Sequence, residues 1–369
     1  VPSIPIKTPS ASYDVTIGSG LLRTLSQRLT KLNAGKPYRP FVITSPEIWA
    51  LWSKPFLASF KTPPTVLLHP AGERFKRMGA IESLGQQLAL AGADRDALLL
   101  AFGGGVIGDM TGFLAAIYMR GIRYVQIPTT LLAQVDSSIG GKTGVNLVAG
   151  KNLMGSFNHP QAVLADTDLL RTLPPAQLRG GLQESIKAGV IYDARLFAYL
   201  EKNAAGILAK KPNEAALTRV VAASVRVKAD VVNQDEKELG LRMILNFGHT
   251  LGHAIESATN YKQLLHGEAV AWGSIAALHV AVARKTATPK QAARITDLIL
   301  RYGPLSPFKA TAAKLVALTY SDKKNRSGKR AFVLPTGIGS TQIIYDITDA
   351  ELLAAAESML ALMRRQSSR

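Results

Sequence analysis

Two histidines four residues apart, His249 and His253 in LNFGHTLGHAIE (245–256), are the first residues whose spacing suggests chemistry. Four residues are about one helical turn, so both imidazoles leave the same face of a helix. That arrangement suits a divalent metal. The zinc-protease version of the motif needs a glutamate general base directly after the first histidine, and this chain has Thr250 there. A metal here would serve other chemistry and take further ligands from elsewhere. His266, in LLHGEAVAWG, is the nearest candidate, since three of the six histidines fall within 249–266, all near predicted helix starts. A catalytic zinc keeps three protein ligands and one open position. With no cysteine in the chain, the ligands must be His, Asp or Glu. An acidic partner is offered by LRGGLQESIKAGVI (178–191), where Leu178, Leu182, Ile186 and Val190 recur at i, i+4 while Glu184 and Lys187 share another face. Taken alone, those two read as an exposed ion pair worth roughly a few tenths of a kcal/mol.

Glycine turns supply the second set of candidates. In DALLLAFGGGVIGDMTGFLAAIYM, Gly103, Gly105 and Gly108 satisfy G-x-G-x-x-G between a strand and a helix, the pattern that brings backbone close to a pyrophosphate. The acidic residue usual about twenty positions later in dinucleotide domains is missing, because the next strand, RYVQIPTT, ends in threonines. The turn therefore reads as a relative of the common dinucleotide site, or as a tight structural turn. SSIGGKTGVN (137–146) imitates the end of a P-loop, but that motif requires glycine five residues before Gly141, and position 136 is Asp. What remains is an anion-friendly loop with Lys142 and, shortly after, Lys151 and Asn152. In VVAASVRVKADVV, Lys228 falls on the apolar stripe of Val221, Val225 and Val232. Such a lysine snorkels outward or faces an anion in a cleft.

The elements that must position these residues are legible in outline. RPFVITSPE, TVLLHPAGE, DALLLAFGGG and RYVQIPTT are buried-strand runs separated by amphipathic stretches such as AIESLGQQLALAG, the signature of an α/β sheet that gathers ligands at the carboxyl ends of its strands. After about residue 176 the patterns turn helical, as in LTRVVAASVRVKADVV, HTLGHAIESA, GEAVAWGSIAALHVAVARK and AELLAAAESMLALMRRQ. We therefore expect an α/β, Rossmann-like nucleotide-binding domain over 1–175 and an all-α domain for metal and substrate over 176–369. With 369 residues, 47% hydrophobic and 19% charged, the chain has material for both cores. The apolar run AVAWGSIAALHVAVA (269–283) is short of a membrane span. Neither a signal pattern nor cysteine is present, which favours the cytoplasm. The net charge of +18 is scattered, apart from KKNRSGKR (323–330) and the tail. An anionic small-molecule substrate explains it better than nucleic acid.

Taken together and in order, AFGGGVIGDMTGFLAAIYMRG, IPTTLLAQVDSSIGGKTGVN, KNLMGSF, RGGLQESIKAG, LRMILNFGHTLGHAIE and LLHGEAVAWG closely resemble the 3-dehydroquinate synthase family, from about Tyr13 to VLPTGIG near residue 338. The resemblance implies conversion of 3-deoxy-D-arabino-heptulosonate 7-phosphate, a sugar-acid phosphate, to 3-dehydroquinate and phosphate, with NAD and zinc or cobalt as cofactors and a homodimer as the working unit. It implies Glu184, His249 and His266 as metal ligands, leaving His253 as a catalytic or substrate-contacting group. For NAD it implies Glu73, Lys76, Gly104, Gly105, Asp109, Thr129, Thr130, Lys142, Lys151 and Thr172. For the substrate it implies Arg120, Asp136, Lys142, Asn152, Lys187, Lys228, Arg242, Asn246 and His253, with Lys324 from the basic cluster. Several fixed cations suit a phosphate and a carboxylate. Where some family members grip the adenosine ribose with an acidic residue after the second strand, this chain has VITSPE, leaving Ser45 and Glu47 as candidates.

The implied reaction oxidises the substrate, eliminates phosphate, reduces again, opens the ring and closes a carbocycle by an intramolecular aldol step, with no net consumption of NAD. Two other enzymes could share this plan: a sugar-phosphate cyclase for a carboxylate-free substrate, and a metal-dependent polyol dehydrogenase. Arg242 and Asn246 argue against the first and the lysines against the second.

Overall fold

The computed structural model describes residues 2–320 and 330–367, with the side chain of residue 367 left aside. Lys324 lies outside the described residues. The chain divides into two compact units, residues 1–178 with 217–237 and residues 179–216 with 238–369.

In the first unit the strands are β1 (Ser3–Lys7), β2 (Ser12–Gly18), β3 (Arg39–Thr44), β4 (Thr65–Leu68), β5 (Ala97–Gly103), β6 (Arg123–Pro128), β7 (Lys142–Leu147), β8 (Gly150–Phe157) and β9 (Ala162–Asp166). Seven of them form one sheet in the order β1-β2-β9-β6-β5-β3-β4, parallel except for the β1–β2 hairpin at its edge. Central β5, ALLLAFG, is buried at every position, as a parallel strand covered on both faces must be. On one face Phe41, Ile43, Leu99 and Tyr124 pack with residues of α3 (Met78–Leu90) and α4 (Gly105–Ile117), the helices that follow α1 (Leu25–Leu32) and α2 (Pro46–Leu57). The opposite face packs Val42, Leu98, Leu100 and Val125 with Leu25, Leu29 and Phe56 of α1 and α2. Because β3 has β4 on one side and β5 on the other, the chain reverses its travel across the sheet there. The glycine turn after β5 stands at that switch point, where open α/β sheets take ligands.

The expected loop around Lys142 is an antiparallel hairpin instead, β7 paired with β8 in its own two-stranded sheet. Both strands are glycine-bearing and β8 is largely exposed, so neither shows the alternation that marks a strand.

Helices α5 (Pro175–Ile191) and α6 (Ala194–Ile207) are followed by α7 (Glu214–Gln234), most of which belongs to the first unit. The second unit continues with α8 (His249–Ala258), α9 (His266–Ala283), α10 (Pro289–Arg301), α11 (Ala312–Thr319), the hairpin β10 (Phe332–Gly337) and β11 (Ser340–Ile344), and α12 (Asp349–Ser367). It is helical as expected, with that one hairpin added. Helix α9 is apolar around nearly its whole circumference and is buried accordingly, packed by α8, α10, α12 and β10. Among the described residues no helix is long and apolar enough to cross a membrane.

Just past the end of α9, Arg284 makes a two-pronged contact with Glu351 (2.5 and 2.8 Å) and a third bond to Asp346 at 2.7 Å. Those bonds hold the Glu351 carboxyl down at about 2, against an ordinary value of 4.5. A depressed carboxyl stabilises the fold above the unfolded value and loses that stabilisation as pH falls through the folded one. Glu351→Gln should therefore flatten the decline of the thermal midpoint between pH 5 and 2. An unchanged decline in melting curves would remove this ion pair from the acid response.

Candidate active site

Glycines decide how close the metal-candidate helices come. A Cβ on Gly273 of α9 would lie 2.0 Å from the Gly248 carbonyl oxygen, and one on Gly267 would lie 2.0 Å from the Gly180 carbonyl oxygen. Backbone thus meets backbone where α8 and α5 contact α9. Gly248 also precedes α8 in a left-handed conformation (φ 77°) that glycine adopts without penalty. The result is that His249, the first residue of α8, His266, the first residue of α9, and Glu184 of α5 each bring a ligand atom within 4.8 Å of the others.

The side chains around this triad fit a divalent cation. Glu184 is 3% exposed; the Lys187 ammonium lies against Oε2, while Oε1 has no hydrogen bond among the described residues. Buried polar atoms left this way point to a missing partner. His249 Nδ1 lies 3.1 Å from the Phe247 carbonyl oxygen; a carbonyl can only accept, so Nδ1 carries the proton and Nε2 offers a lone pair. His266 turns Nε2 toward Glu184 (3.8 Å) and Nδ1 toward Glu256 (3.4 Å). A ligating histidine whose second nitrogen faces a carboxylate is the usual outer support of a metal site. His253 lies with its ring centroid 5.3 Å from that of His249 and 6.1 Å from that of His266. It also forms a second set of close donors with Glu256 and His266. The exposed reading of Glu184 and Lys187 is overturned, because α5 is buried on every side from residue 181 to 191 and Lys187 is 5% exposed. Arg242 is buried as well, at 2%, and Asn246 Nδ2 donates to Glu238 Oε1 at 2.9 Å.

In the first unit, the turn after β5 delivers Gly104 and Gly105 to the N-terminus of α4. A Cβ on Gly105 would come within 2.8 Å of Ser137 Oγ. Asp109, one turn into α4, contacts the buried Lys76 ammonium at 2.5 Å, and the same ammonium donates to Asn152 Oδ1 at 2.6 Å. Burial pushes the Asp109 carboxyl above the usual carboxylate range, and the neighbouring Lys76 charge opposes that shift. Thr129, just after β6, donates its N–H to the Gly103 carbonyl at 2.9 Å, while its buried hydroxyl has no hydrogen-bond partner among the described residues. Thr130 follows it, and Thr172 Oγ1 accepts from Trp52 Nε1 at 2.9 Å. Asp136 sits in a π-helical turn and contacts the Lys228 ammonium of α7. The lysine that broke its apolar stripe therefore meets a carboxylate 92 residues away. Lys142 begins β7, Lys151 lies on β8, and Arg120 follows Met119 in a left-handed turn (φ 67° and 49°). Of the ribose candidates, Ser45 Oγ is engaged in capping α2, accepting from the Ile48 N–H at 3.3 Å. Glu47 is exposed in the first turn of that helix.

Residues 66–180 match the family model described as 3-dehydroquinate synthase N-terminal, and residues 181–325 match 3-dehydroquinate synthase C-terminal. The chain belongs to the 3-dehydroquinate synthase family. A curated 3-dehydroquinate synthase from Solibacter usitatus (strain Ellin6076) is 44% identical over 363 residues, spanning 98% of this chain and 100% of that one. Among solved structures, a 2-epi-5-epi-valiolone synthase from Streptomyces hygroscopicus subsp. jinggangensis 5008, with NAD+ and Zn2+ bound, superposes with a TM-score of 0.87 at 29% identity, covering 95% of this chain and 98% of its own. A 2-deoxy-scyllo-inosose synthase shares the fold, with a TM-score of 0.85 at 23% identity over 97% of this chain and 99% of its own. Two further residues of this sequence stand beside the expected ones. Glu256 follows His249 and His253 at i+7 and i+3, a helical spacing visible in LNFGHTLGHAIE. Asn146 closes SSIGGKTGVN, and nothing in its spacing singles it out.

Proposed function

We propose that this chain converts 3-deoxy-D-arabino-heptulosonate 7-phosphate to 3-dehydroquinate and inorganic phosphate, as a phosphate-eliminating lyase that uses NAD+ and a divalent metal. The observation that carries the reading is the convergence of Glu184, His249 and His266 within 4.8 Å, in a chain 44% identical along its whole length to a named synthase. When bound, the cation supplies Lewis acidity toward a substrate hydroxyl and the nicotinamide a reversible hydride store. His249 presents Nε2 because the Phe247 carbonyl holds its other nitrogen, and Glu256 does the same for His266. His253 stands outside that ligand set, one turn along the same helix face, and serves to move a proton at the substrate. Lys187 and Lys228 provide fixed positive charge for an anionic substrate, each held in place by a neighbouring carboxylate.

The rival cyclase reading, for a substrate without a carboxylate, is less well supported. The valiolone synthase is 29% identical, against 44% for the curated relative. A guanidinium buried as deeply as Arg242, four residues before Asn246, suits planar carboxylate recognition. The reading extends to a homodimer, carried by the family resemblance, and to the cytoplasm, favoured by the sequence pattern; light scattering of the purified chain checks the first.

The deciding assay is phosphate release from the heptulosonate phosphate with zinc and catalytic NAD+, followed together with NADH absorbance. Stoichiometric phosphate with no accumulating NADH is the expected result. NADH accumulation would indicate a polyol dehydrogenase, and no phosphate from zinc-loaded protein would redirect the search to carboxylate-free sugar phosphates.

A further inference from the structure

The β7–β8 ladder loses its register at one residue. Val145 pairs with Met154, whereas Leu147 pairs with Gly150, so Asn146 alone of β7 stands opposite Lys151, Asn152 and Leu153 of β8. The extra residues of this bulge lie on β8, and the mismatch leaves Asn146 outside the paired register of β7. Here the freed backbone bridges instead to Arg77, and the Asn146 N–H donates to the Lys76 carbonyl at 2.9 Å. Its side chain is used at both ends. Nδ2 donates to Glu73 Oε1 at 2.7 Å, and Oδ1 accepts from the Asn152 N–H at 2.8 Å. The orientation of the amide is fixed by its neighbours, since a carboxylate can only accept and a backbone N–H can only donate. Asn146 itself is 5% exposed.

We infer that Asn146 is a positioning residue that sets Glu73 and Asn152 in one frame. Asn152 has a left-handed backbone (φ 52°), uncommon outside glycine although asparagine adopts it more readily than most. The Asn146 carbonyl holds its N–H, and the Lys76 ammonium holds its side chain. On the other side, Asn146 Nδ2 holds one oxygen of Glu73. The inference rests on the proposed function and on the roles the family resemblance implies, Glu73 and Lys76 toward NAD+ and Asn152 toward the sugar phosphate. One amide then governs the aim of a cofactor contact and of a substrate contact.

Two substitutions separate this role from plain folding support. Asn146→Ala removes all of these side-chain bonds, together with a longer one from Nδ2 to the Glu73 carbonyl at 3.4 Å. Asn146→Asp keeps an acceptor for the Asn152 N–H but sets a carboxylate against Glu73. Calorimetric titration of NAD+ into each protein, with steady-state KM and kcat for the heptulosonate phosphate and a thermal midpoint, reads the difference. Loss of a bond to a charged group should weaken NAD+ binding by about tenfold or more in both variants. KM should rise in Asn146→Ala and stay near the wild-type value in Asn146→Asp. Folded variants that bind NAD+ as the wild type does, or a KM that moves equally in both, would overturn the inference. Failure of both variants to fold would also overturn it, by reducing Asn146 to a folding residue. Should the unsubstituted protein itself bind no NAD+, the underlying functional reading falls instead.

Discussion

Gly267→Ala is expected to yield a protein that holds zinc poorly and turns over at least about 100-fold more slowly, the scale of a misplacement of about 1 Å in a catalytic array. The added methyl would lie 2.0 Å from the Gly180 carbonyl oxygen. Backbone cannot rotate out of the way as a side chain can, so α9 must back off from α5. His266 is the residue before Gly267 and Glu184 lies one turn beyond Gly180, so the retreat opens the gap between two of the three candidate ligands. Overpacking of this kind also costs roughly 1–3 kcal/mol of stability. The control is the other side of the same contact. A methyl on Gly180 would meet only Leu265 side-chain atoms at 3.7 and 3.8 Å, ordinary van der Waals distance. Gly180→Ala should keep its zinc and gain a little stability from the better helix former. Zinc content and melting temperature of the two purified variants give the answer. Equal zinc in both would show that close helix approach does not set the ligand geometry.

A graded loss of metal is expected across three substitutions around one imidazole. His266→Ala removes a proposed ligand and should leave the purified protein without stoichiometric zinc. Glu256→Gln keeps every ligand but replaces the carboxylate that faces His266 Nδ1 at 3.4 Å with a neutral amide. Outer partners of this type usually set metal affinity by about 10–100-fold, so zinc should bind but yield to a chelator far sooner. His253→Ala should retain zinc and lose turnover, because its work lies in proton transfer. Chelator competition monitored by zinc release separates the three without reference to activity. If His253→Ala loses zinc as completely as His266→Ala, the ligand set is instead His253, Glu256 and His266, the second close group of donors in the structure.

Much of this arrangement was written in local pattern. The buried strands announced themselves as apolar runs ending in turns, and the glycine turn after β5 stood where a strand met a helix. The two histidines one turn apart marked α8. What stayed hidden depended on partners distant in sequence. Lys228 looked misplaced on its stripe because Asp136 is 92 residues away. The Glu184–Lys187 pair looked like a surface ion pair because i+3 spacing says nothing about whether the opposite face of a helix is covered. The hairpin β7–β8 escaped notice because glycine and exposed polar positions erase the period-two signal. Asn146 lay in plain view within SSIGGKTGVN, but a bulge is a property of two strands together, and only their register shows it.

The contact between Lys187 and Glu184 bears on the order in which a working molecule is assembled. Small zinc domains remain unfolded until metal arrives, since their ligands alone cannot support a core. Here an ammonium on the same helix already lies against the one buried carboxylate of the candidate triad, and α9 is packed in part by α10, α12 and β10, which carry none of the candidate ligands. The fold is therefore expected to form without the ion, and melting of chelator-treated protein checks this. Scarcity of metal would then silence it reversibly, leaving a stock of intact protein that responds within the time of a binding event once supply returns.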